Sequence, residues 1–432
     1  MKGRLNLFQT GMLRWRDLAP YNAVHVIRIE APLDLLRLRA AIEAELAAFG
    51  LTGFELDRSR GRFEYRGGAA RATLEIARGA ADAAEALRAE IERQINRPFL
   101  PTGAFDPFRF FVVDLRESFY LGLAYDHFIA AGDSIIVLLA ALVERYRQGS
   151  TTPARPGTPD LYPAPYRRMF LRDPVSFLRG LPSVPAMAGR LRRAFRPRYP
   201  YGHDAQNAFV HFRIERSGFD AMRRAATTWG VTRNDLLLAM ILLALSPLAA
   251  ARRGAARRKE LAVASMVNIR ADCGADAGTA FGQFLSSFLV SHPVPSGITL
   301  EQLARDVNAH TARVKRKKLY LQTLLAMGIG GLIARLLPPA DRARFHSKSY
   351  PVWAGTTSLS ADALWTDAGG RAPPPEYLRA ASTGPHAPLV AVLTAAGSVM
   401  HVGLSFRTAA FTREEIDKIA TAILRCVDSL RT

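Results

Sequence analysis

The stretch YLGLAYDHFIAAGDSIIVLLAALVERYRQG, Tyr120–Gly149, places one histidine between a strand-like run and a helix-like run. If the first part is a strand, Leu121, Leu123, Tyr125 and His127 share one face and Asp126 points the other way. SIIVLLAALVERYRQ reads as a buried helix that stops at Gly149. His127 then ends a strand just ahead of a helix N-terminus, where chain and solvent meet. A neutral imidazole there can act as a general base, since its ordinary pKa is about 6.5. The same letters admit a plainer turn, with His127 packed and satisfied and Asp133 capping the helix for about 1 kcal/mol. They also admit Ser134 as a nucleophile. A metal site at Asp126, His127 and Asp133 fits poorly, because the first two side chains diverge and no other His, Asp or Glu group has ligand spacing.

Outward from this stretch, the chain's 432 residues exceed one ordinary core, and two domains of roughly 200 residues each are expected. Charged residues make up 22% and hydrophobic ones 49%, a globular composition. Two cysteines, Cys273 and Cys426, exclude a disulfide framework and a cysteine-rich zinc module, and they suit a reducing cytosol. The start, MKGRLNLFQTGMLRWRDLAP, lacks the continuous apolar run of a secretory signal. The longest apolar run, LLLAMILLALSPLAA from Leu236, is shorter than the ~20 residues of a membrane span and contains Pro247, so it reads as a buried helix. The expected protein is a monomer of the cytoplasm or of the membrane periphery.

The formal charge of +20 is unevenly spread. Between Tyr166 and Tyr199 nine arginines (Arg167, Arg168, Arg172, Arg179, Arg190, Arg192, Arg193, Arg196 and Arg198) face one acid, Asp173. RVKRKK, Arg313–Lys318, is a second cluster. Such patches suit an acidic protein, an anionic lipid face, a phosphorylated cofactor or a nucleic acid; they also arise as plain solvated surface. No nucleic-acid-binding motif accompanies them, and a nucleic-acid partner is not expected.

Strand-like alternation recurs in NAVHVIRIEA from Asn22, in FRFFVVDL and SFYLGLAYDHF (an expected antiparallel pair), and in AFVHFRIER, ELAVASMVNIR, GQFLSSFLVSHPV, VWAGTTSLSADAL, PLVAVLTAAG and VMHVGLSFR. Helical spacing fills PLDLLRLRAAIEAELAAFG, ADAAEALRAEIERQI, the apolar run capped by Thr232 or Asn234, a long region between Leu300 and Leu337, and a closing helix. In that last helix Thr412 is the N-cap and Glu415 completes a capping box. Residues 150–204 are rich in Pro, Gly and Arg and read as a crossover. The expected class is therefore α+β, with an N-terminal lobe over residues 1–165, a basic linker over 166–204 and a C-terminal lobe over 205–432.

GDS after a strand resembles the Gly-Asp-Ser-Leu hydrolases in three letters. That family's Asp-x-x-His pair has no counterpart here, since His386 and His401 lack an Asp three residues before them, and there is no Gly-x-Ser-x-Gly elbow. DHFIAAGDS more closely resembles the His-His-x-x-x-Asp-Gly-x-Ser signature of the chloramphenicol-acetyltransferase-like acyltransferases. These include nonribosomal condensation domains, polyketide-associated acyltransferases, alcohol acetyltransferases and wax ester synthases. His127 matches the second, catalytic histidine, Gly132 the glycine and Ser134 the serine. Five further stretches resemble the family in the right order: APYNAVHVIRIEAPLDLLRLRAAI, VTRNDLLLAMILLAL, VNIRADCG with AFGQFLSSFLVSHPV, WAGTTSLSAD, and SVMHVGLSFRTAAFTREEIDKIATAIL.

The resemblance implies two lobes of similar topology with a tunnel between them. It implies no permanently bound cofactor, and an acyl thioester of coenzyme A or of a carrier protein's phosphopantetheine as donor. An alcohol or amine would be the acceptor, and an ester or amide the product. His127 would take the acceptor's proton. Ser286, Ser287, Thr357 and Ser358 become candidates for the tunnel wall or for donors to the oxyanion. Arg192, Arg193 and Arg196 become candidates for docking an acyl or peptidyl carrier protein, and the basic start and apolar run of RVKRKKLYLQTLLAMGIGGLIARLLPP also suit a peripheral membrane contact. The sequence departs from the signature twice. Asp126 stands for the first histidine, and Ala131 stands for the motif aspartate, which in the family pairs with an arginine and shapes the loop. Either Asp133 takes over that pairing, with Arg14 or Arg16 as the expected partner, or the loop is held another way. The remaining alternative is a binding or scaffold protein that has lost transfer activity.

Overall fold

In the computed structural model the described residues are 2–70, 72–77, 82–149, 171, 174–197, 205–251, 258–274, 280–338, 341–342, 345, 349–367 and 376–431. Arg167, Arg168, Arg172 and Arg198 of the basic segment lie outside them. The strands are β1 (Lys2–Arg4), β2 (Asn22–Ile29), β3 (Phe54–Asp57), β4 (Arg62–Tyr65), β5 (Thr73–Ile76), β6 (Gly103–Ala104), β7 (Phe108–Asp114) and β8 (Phe119–Asp126) in the first half of the chain. The second half contributes β9 (Asn207–Ile214), β10 (Leu261–Asn268), β11 (Leu285–His292), β12 (Ala354–Ser360), β13 (Tyr377–Ala381), β14 (Leu389–Ala396) and β15 (Val399–Arg407). The helices are α1 (Leu7–Arg16), α2 (Leu35–Ala48), α3 (Ala83–Asn96), α4 (Gly132–Gln148), α5 (Pro174–Gly180), α6 (Ser183–Arg193), α7 (Arg216–Trp229) and α8 (Arg233–Ala251). They continue with α9 (Arg270–Cys273), α10 (Leu300–Arg316), α11 (Tyr320–Leu336), α12 (Ala361–Asp367) and α13 (Arg413–Asp428).

Two mixed sheets organise the α+β fold. One has the order β13-β2-β8-β7-β5 and the other β11-β10-β12-β14-β15-β9, beside a small sheet β1-β4-β3-β6. The expected pair β7 and β8 is antiparallel, as the short connection between them requires. β2 runs antiparallel to β8, so the edge of that sheet would be β2. β13, from the far end of the chain, covers this edge, pairing Arg379 with His25 and Tyr377 with Ile27. One strand of the second half therefore crosses the division at residue 205.

The register sorts the residues of the first sheet by face. Val24, Val26, Ala124, Leu378 and Ala380 pack against Leu87, Ile91 and Ile95 of α3. The opposite face carries Ala23, His25, Tyr125, Tyr377 and Arg379, and by the same two-residue period it leads on to His127. In the second half α8 is the core element. It is the one unbent helix among the described residues with the length and hydropathy of a membrane span. Leu236, Leu237, Leu238, Met240, Leu242 and Leu245 are nevertheless buried in the fold, each contributing about 1.5–3 kcal/mol. Thr232 and Asp235 cap it reciprocally, the Asp235 amide donating to Thr232 Oγ1 at 3.2 Å and the Thr232 amide to Asp235 Oδ2 at 3.0 Å. Thr412 and Glu415 form the expected capping box on α13.

Two regions differ from the sequence expectation. The long helical region breaks after Arg316 into α10 and α11, which meet at 79°. Lys318 takes φ 48° at this break, and Arg313, Lys315 and Arg316 lie in the last turn of α10, where cations interact favourably with the helix dipole. The described part of the crossover is not irregular, since residues 174–193 form α5 and α6.

Candidate active site

The site is a cavity of about 700 Å³, lined mostly by apolar side chains from both halves. His127 borders it, one residue past β8 and ahead of α4. The Tyr21 ring stacks on the imidazole at 5.5 Å, and Tyr125 meets it edge-on at 5.8 Å. Nδ1 is enclosed by protein and makes no hydrogen bond of ordinary geometry, while the residue itself borders the cavity. Burial lowers the imidazole pKa to about 4; the Arg379 guanidinium adds to the fall, and the Ala130 and His127 carbonyls partly oppose it. At neutral pH the ring is therefore uncharged and ready to accept a proton.

The backbone beneath His127 is fixed from three sides. Its amide donates to the Tyr21 carbonyl at 3.2 Å. Gln283, which precedes β11, donates through Nε2 to the carbonyls of His127 at 2.7 Å and Ala130 at 3.2 Å. Gln9 of α1 donates to the Phe128 carbonyl at 3.0 Å. The amide side chains thus hold the turn where the signature's aspartate is missing.

Asp133 also has a part in this, with a partner other than the ones expected. Neither Arg14 nor Arg16 reaches it. Arg270, at the start of α9, donates to Asp133 Oδ2 from Nε at 3.1 Å, its Nη2 lies 3.0 Å from the same oxygen, and Asn268 donates to it at 2.7 Å. Asp133 is not the N-cap of α4 either. Ala131 occupies that position, and Asp133 Oδ1 accepts from the Ser134 amide at 2.8 Å within the first turn. Arg16 instead forms a buried ion pair with Asp126, whose side chain points away from the cavity as the strand alternation requires. Burial raises the Asp126 pKa to about 6, against the pull of Arg16.

Ser134 is buried and does not border the cavity. Its Oγ accepts from the Gly282 amide at 3.1 Å and from Arg270 Nη2 at 3.0 Å, tying α4 to the second half of the chain. Of the four residues expected at the tunnel wall, Ser287, Thr357 and Ser358 border the cavity. Ser286 does not, because neighbouring residues of a strand face opposite ways, and its Oγ donates to the Tyr320 carbonyl at 2.7 Å. Of the three arginines expected to dock a partner, all exposed, Arg192 borders the cavity and Arg193 is paired with Glu260 at 2.8 Å. Arg196 lies outside the cavity wall.

Gly132 stands where a side chain has no room. A Cβ at this position would lie 2.7 Å from Arg379 Nη1 and 2.9 Å from Leu359 Cδ1. Gly132→Ala is expected to destabilise the protein by about 1–3 kcal/mol through overpacking, read as a lower midpoint in chemical denaturation at unchanged slope.

Sequence reasoning missed His25 and Arg379. His25 Nδ1 lies 2.8 Å from the Tyr377 hydroxyl and Nε2 3.4 Å from that of Tyr125. Its pKa falls well below 6.5, through burial first and then Arg379 and His127. The alternation of NAVHVIRI puts His25 on the same face as Ala23 and Ile27, but which strand lies beside it is not a local property.

Compared by sequence, the chain matches no family model and no curated protein. Compared by structure, it matches the first condensation domain of the calcium-dependent antibiotic synthetase, solved with a substrate analogue, at TM-score 0.68 and 16% identity, over 100% of this chain and 96% of that one. It matches the condensation domain of the Monacolin K polyketide synthase at TM-score 0.68 and 12% identity, over 100% and 97% of the two chains. The epimerization domain from the third module of tyrocidine synthetase B gives 0.67 and 11%, over 100% and 96%. The fold is the one these domains share.

Proposed function

We propose that this chain, which has a condensation-type acyltransferase fold, moves an acyl group from a coenzyme A or carrier-protein thioester to the hydroxyl or amine of a natural product or lipid. The observation that carries this reading is His127: an uncharged imidazole on the wall of a largely apolar cavity, its backbone fixed by Gln9 and Gln283 from the two halves of the chain. The acceptor O–H or N–H attacks the thioester carbonyl as Nε2 of His127 takes its proton. The tetrahedral oxyanion collapses, the C–S bond breaks, and the imidazolium returns the proton to the leaving thiolate. The products are an ester or amide and a free thiol. No activated serine or cysteine is needed, in keeping with Ser134 being held in hydrogen bonds. Ser287, Thr357 and Ser358 are the hydroxyls from which oxyanion donors would be drawn. Arg192 at the cavity's edge is suited to a phosphate of the donor's pantetheine arm.

The test is to supply acyl-coenzyme A and acyl-loaded carrier protein with a panel of alcohols and amines, following thiol release and product mass. Transfer from either donor supports the reading. Release of thiol without a coupled product, or no turnover with any pair, favours a binding or scaffold protein on the same fold.

A membrane contact is favoured by one observation. Leu171 (75% exposed), Leu178 (60%), Leu332 (60%) and Leu336 (83%) present apolar side chains on α5, α11 and the residue ahead of α5. Ile329 and Ile333 of the same α11 border the cavity. Residues 174–193 and 320–336 contain five arginines and no acid. This rim suits an anionic bilayer, from which a lipid-soluble substrate would enter. Co-sedimentation with vesicles of phosphatidylglycerol and phosphatidylcholine is expected, and with phosphatidylcholine alone it should be weaker. Leu332→Asp/Leu336→Asp should lower vesicle binding at least tenfold, whereas Leu36→Asp, at an exposed site elsewhere, should not. A switch from dimer to monomer in the double variant, without vesicle binding by the wild type, would instead make the rim a contact between copies.

A further inference from the structure

We propose that Arg379 forms a carboxylate-binding subsite in the cavity wall near His127, so that the substrate held there carries an acid group. The inference rests on acyl transfer only for calling that ligand a substrate.

Three of the buried arginines have a carboxylate partner: Arg16 with Asp126, Arg145 with Glu45, and Arg270 with Asp133. Arg379, 5% exposed, has none among the described residues. Its Nε donates to Thr394 Oγ1 at 2.8 Å and its Nη2 to the Leu393 carbonyl at 2.9 Å, while Nη1 makes no hydrogen bond. Arg109 donates from both terminal nitrogens to backbone carbonyls and its guanidinium lies on the Phe99 ring, and neither it nor the other buried arginines, Arg258 and Arg407, borders the cavity. Arg379 does border it. Gly132 packs against Nη1, where even a Cβ would come within 2.7 Å, so a ligand would reach the guanidinium from the cavity side.

A buried cation is costly unless an anion accompanies it. Asp133, the acid whose charge Arg379 feels, is already engaged by Arg270 and Asn268. The missing anion is therefore one that enters the cavity. Arginine presents its planar donors to a carboxylate or a phosphate. A single enclosed guanidinium balances one negative charge, and the surrounding wall is largely apolar, which favours a carboxylate over a phosphate dianion. Arg14 and Arg192 also border the cavity, but both are more exposed, and Arg14 supplies the comparison a test needs.

The test is a titration of the purified full chain at pH 7.5 with sodium decanoate and with its uncharged methyl ester, followed by the fluorescence of Trp15 in the cavity wall and by calorimetry. Wild-type protein should bind decanoate at least tenfold tighter than the ester. Arg379→Met should lose that preference and retain its affinity for the ester, and Arg14→Met should keep the preference. Arg379→Gln, which retains a donor for the Leu393 carbonyl, serves if the methionine variant does not fold. Equal affinities in the wild type, no saturable decanoate binding, or an unchanged preference in both Arg379 variants would overturn the subsite. A preserved preference in a protein that transfers no acyl group would sink the transfer reading and leave the subsite standing.

Discussion

Replacing His127 by alanine is expected to lower kcat/KM for acyl transfer by roughly 10²–10⁴-fold, the usual contribution of a positioned general base, with the circular dichroism spectrum unchanged. The pH profile separates this role from mere packing. His127 accepts a proton only when neutral, and enclosure moves its pKa to about 4. In the wild type kcat/KM should therefore stay level from pH 8 to about 5 and fall below that, as the ring is protonated. An inflection at the ordinary pKa of about 6.5 would mean that the ring is solvated, and the argument from enclosure would fail. The acid limb must be distinguished from unfolding. His25 and His127 both have depressed pKa values in the folded state. The unfolded chain takes up those protons first, so their contribution to stability is full above about pH 6.5 and declines below it, for His127 until about pH 4. Spectra recorded at each pH show whether lost activity precedes lost structure. In His127→Ala the residual rate should show no such limb.

The sequence made the local part of this site legible. A strand ending just before His127, a helix running to Gly149 and the alternation that separates Asp126 from His127 all follow from patterns a few residues long, and the structure has each of them. The partners were not legible, because each of them is distant in the chain. Asp126 finds Arg16, 110 residues away, and Asp133 finds Arg270, 137 away. Both Arg270 and Gln283 lie in stretches that the family resemblance had marked, but nothing in VNIRADCG or GQFLSS says which side chain turns toward α4. Arg379 had no signal at all. Its position depends on β13 leaving its own half of the chain to pair with β2, a choice set by the open edge of that sheet. The capping role given to Asp133 failed for a related reason: tertiary partners outbid a local one, and Ala131 became the cap.

Asp133→Ala should then be the most destabilising single change in the loop, costing about 3–5 kcal/mol. The carboxylate and the Arg270 guanidinium are both nearly inaccessible, 3% and 5% exposed, so water cannot replace the lost partner. Among the contacts that the guanidinium keeps in the variant, Ser134 Oγ, the Ala280 carbonyl and the Phe284 ring carry no charge that replaces the carboxylate. If the penalty is that stranded charge, removing it must restore stability. Asp133→Leu/Arg270→Met should accordingly recover at least half of the loss, measured by chemical denaturation in a double-mutant cycle with both single variants. Recovery of stability need not bring back activity, because Ser134 and Asn268 lose partners in the double variant and the turn carrying His127 is then held by Gln9, Gln283 and backbone bonds without the ion pair. A stable but slow double variant would place the ion pair in positioning the loop. A double variant both stable and fully active would show that the two glutamines suffice, and that the displaced acid only compensates an arginine which the second half of the chain brings to α4. A loss below about 1 kcal/mol for Asp133→Ala, in the range of exposed pairs, would contradict the burial on which both outcomes depend.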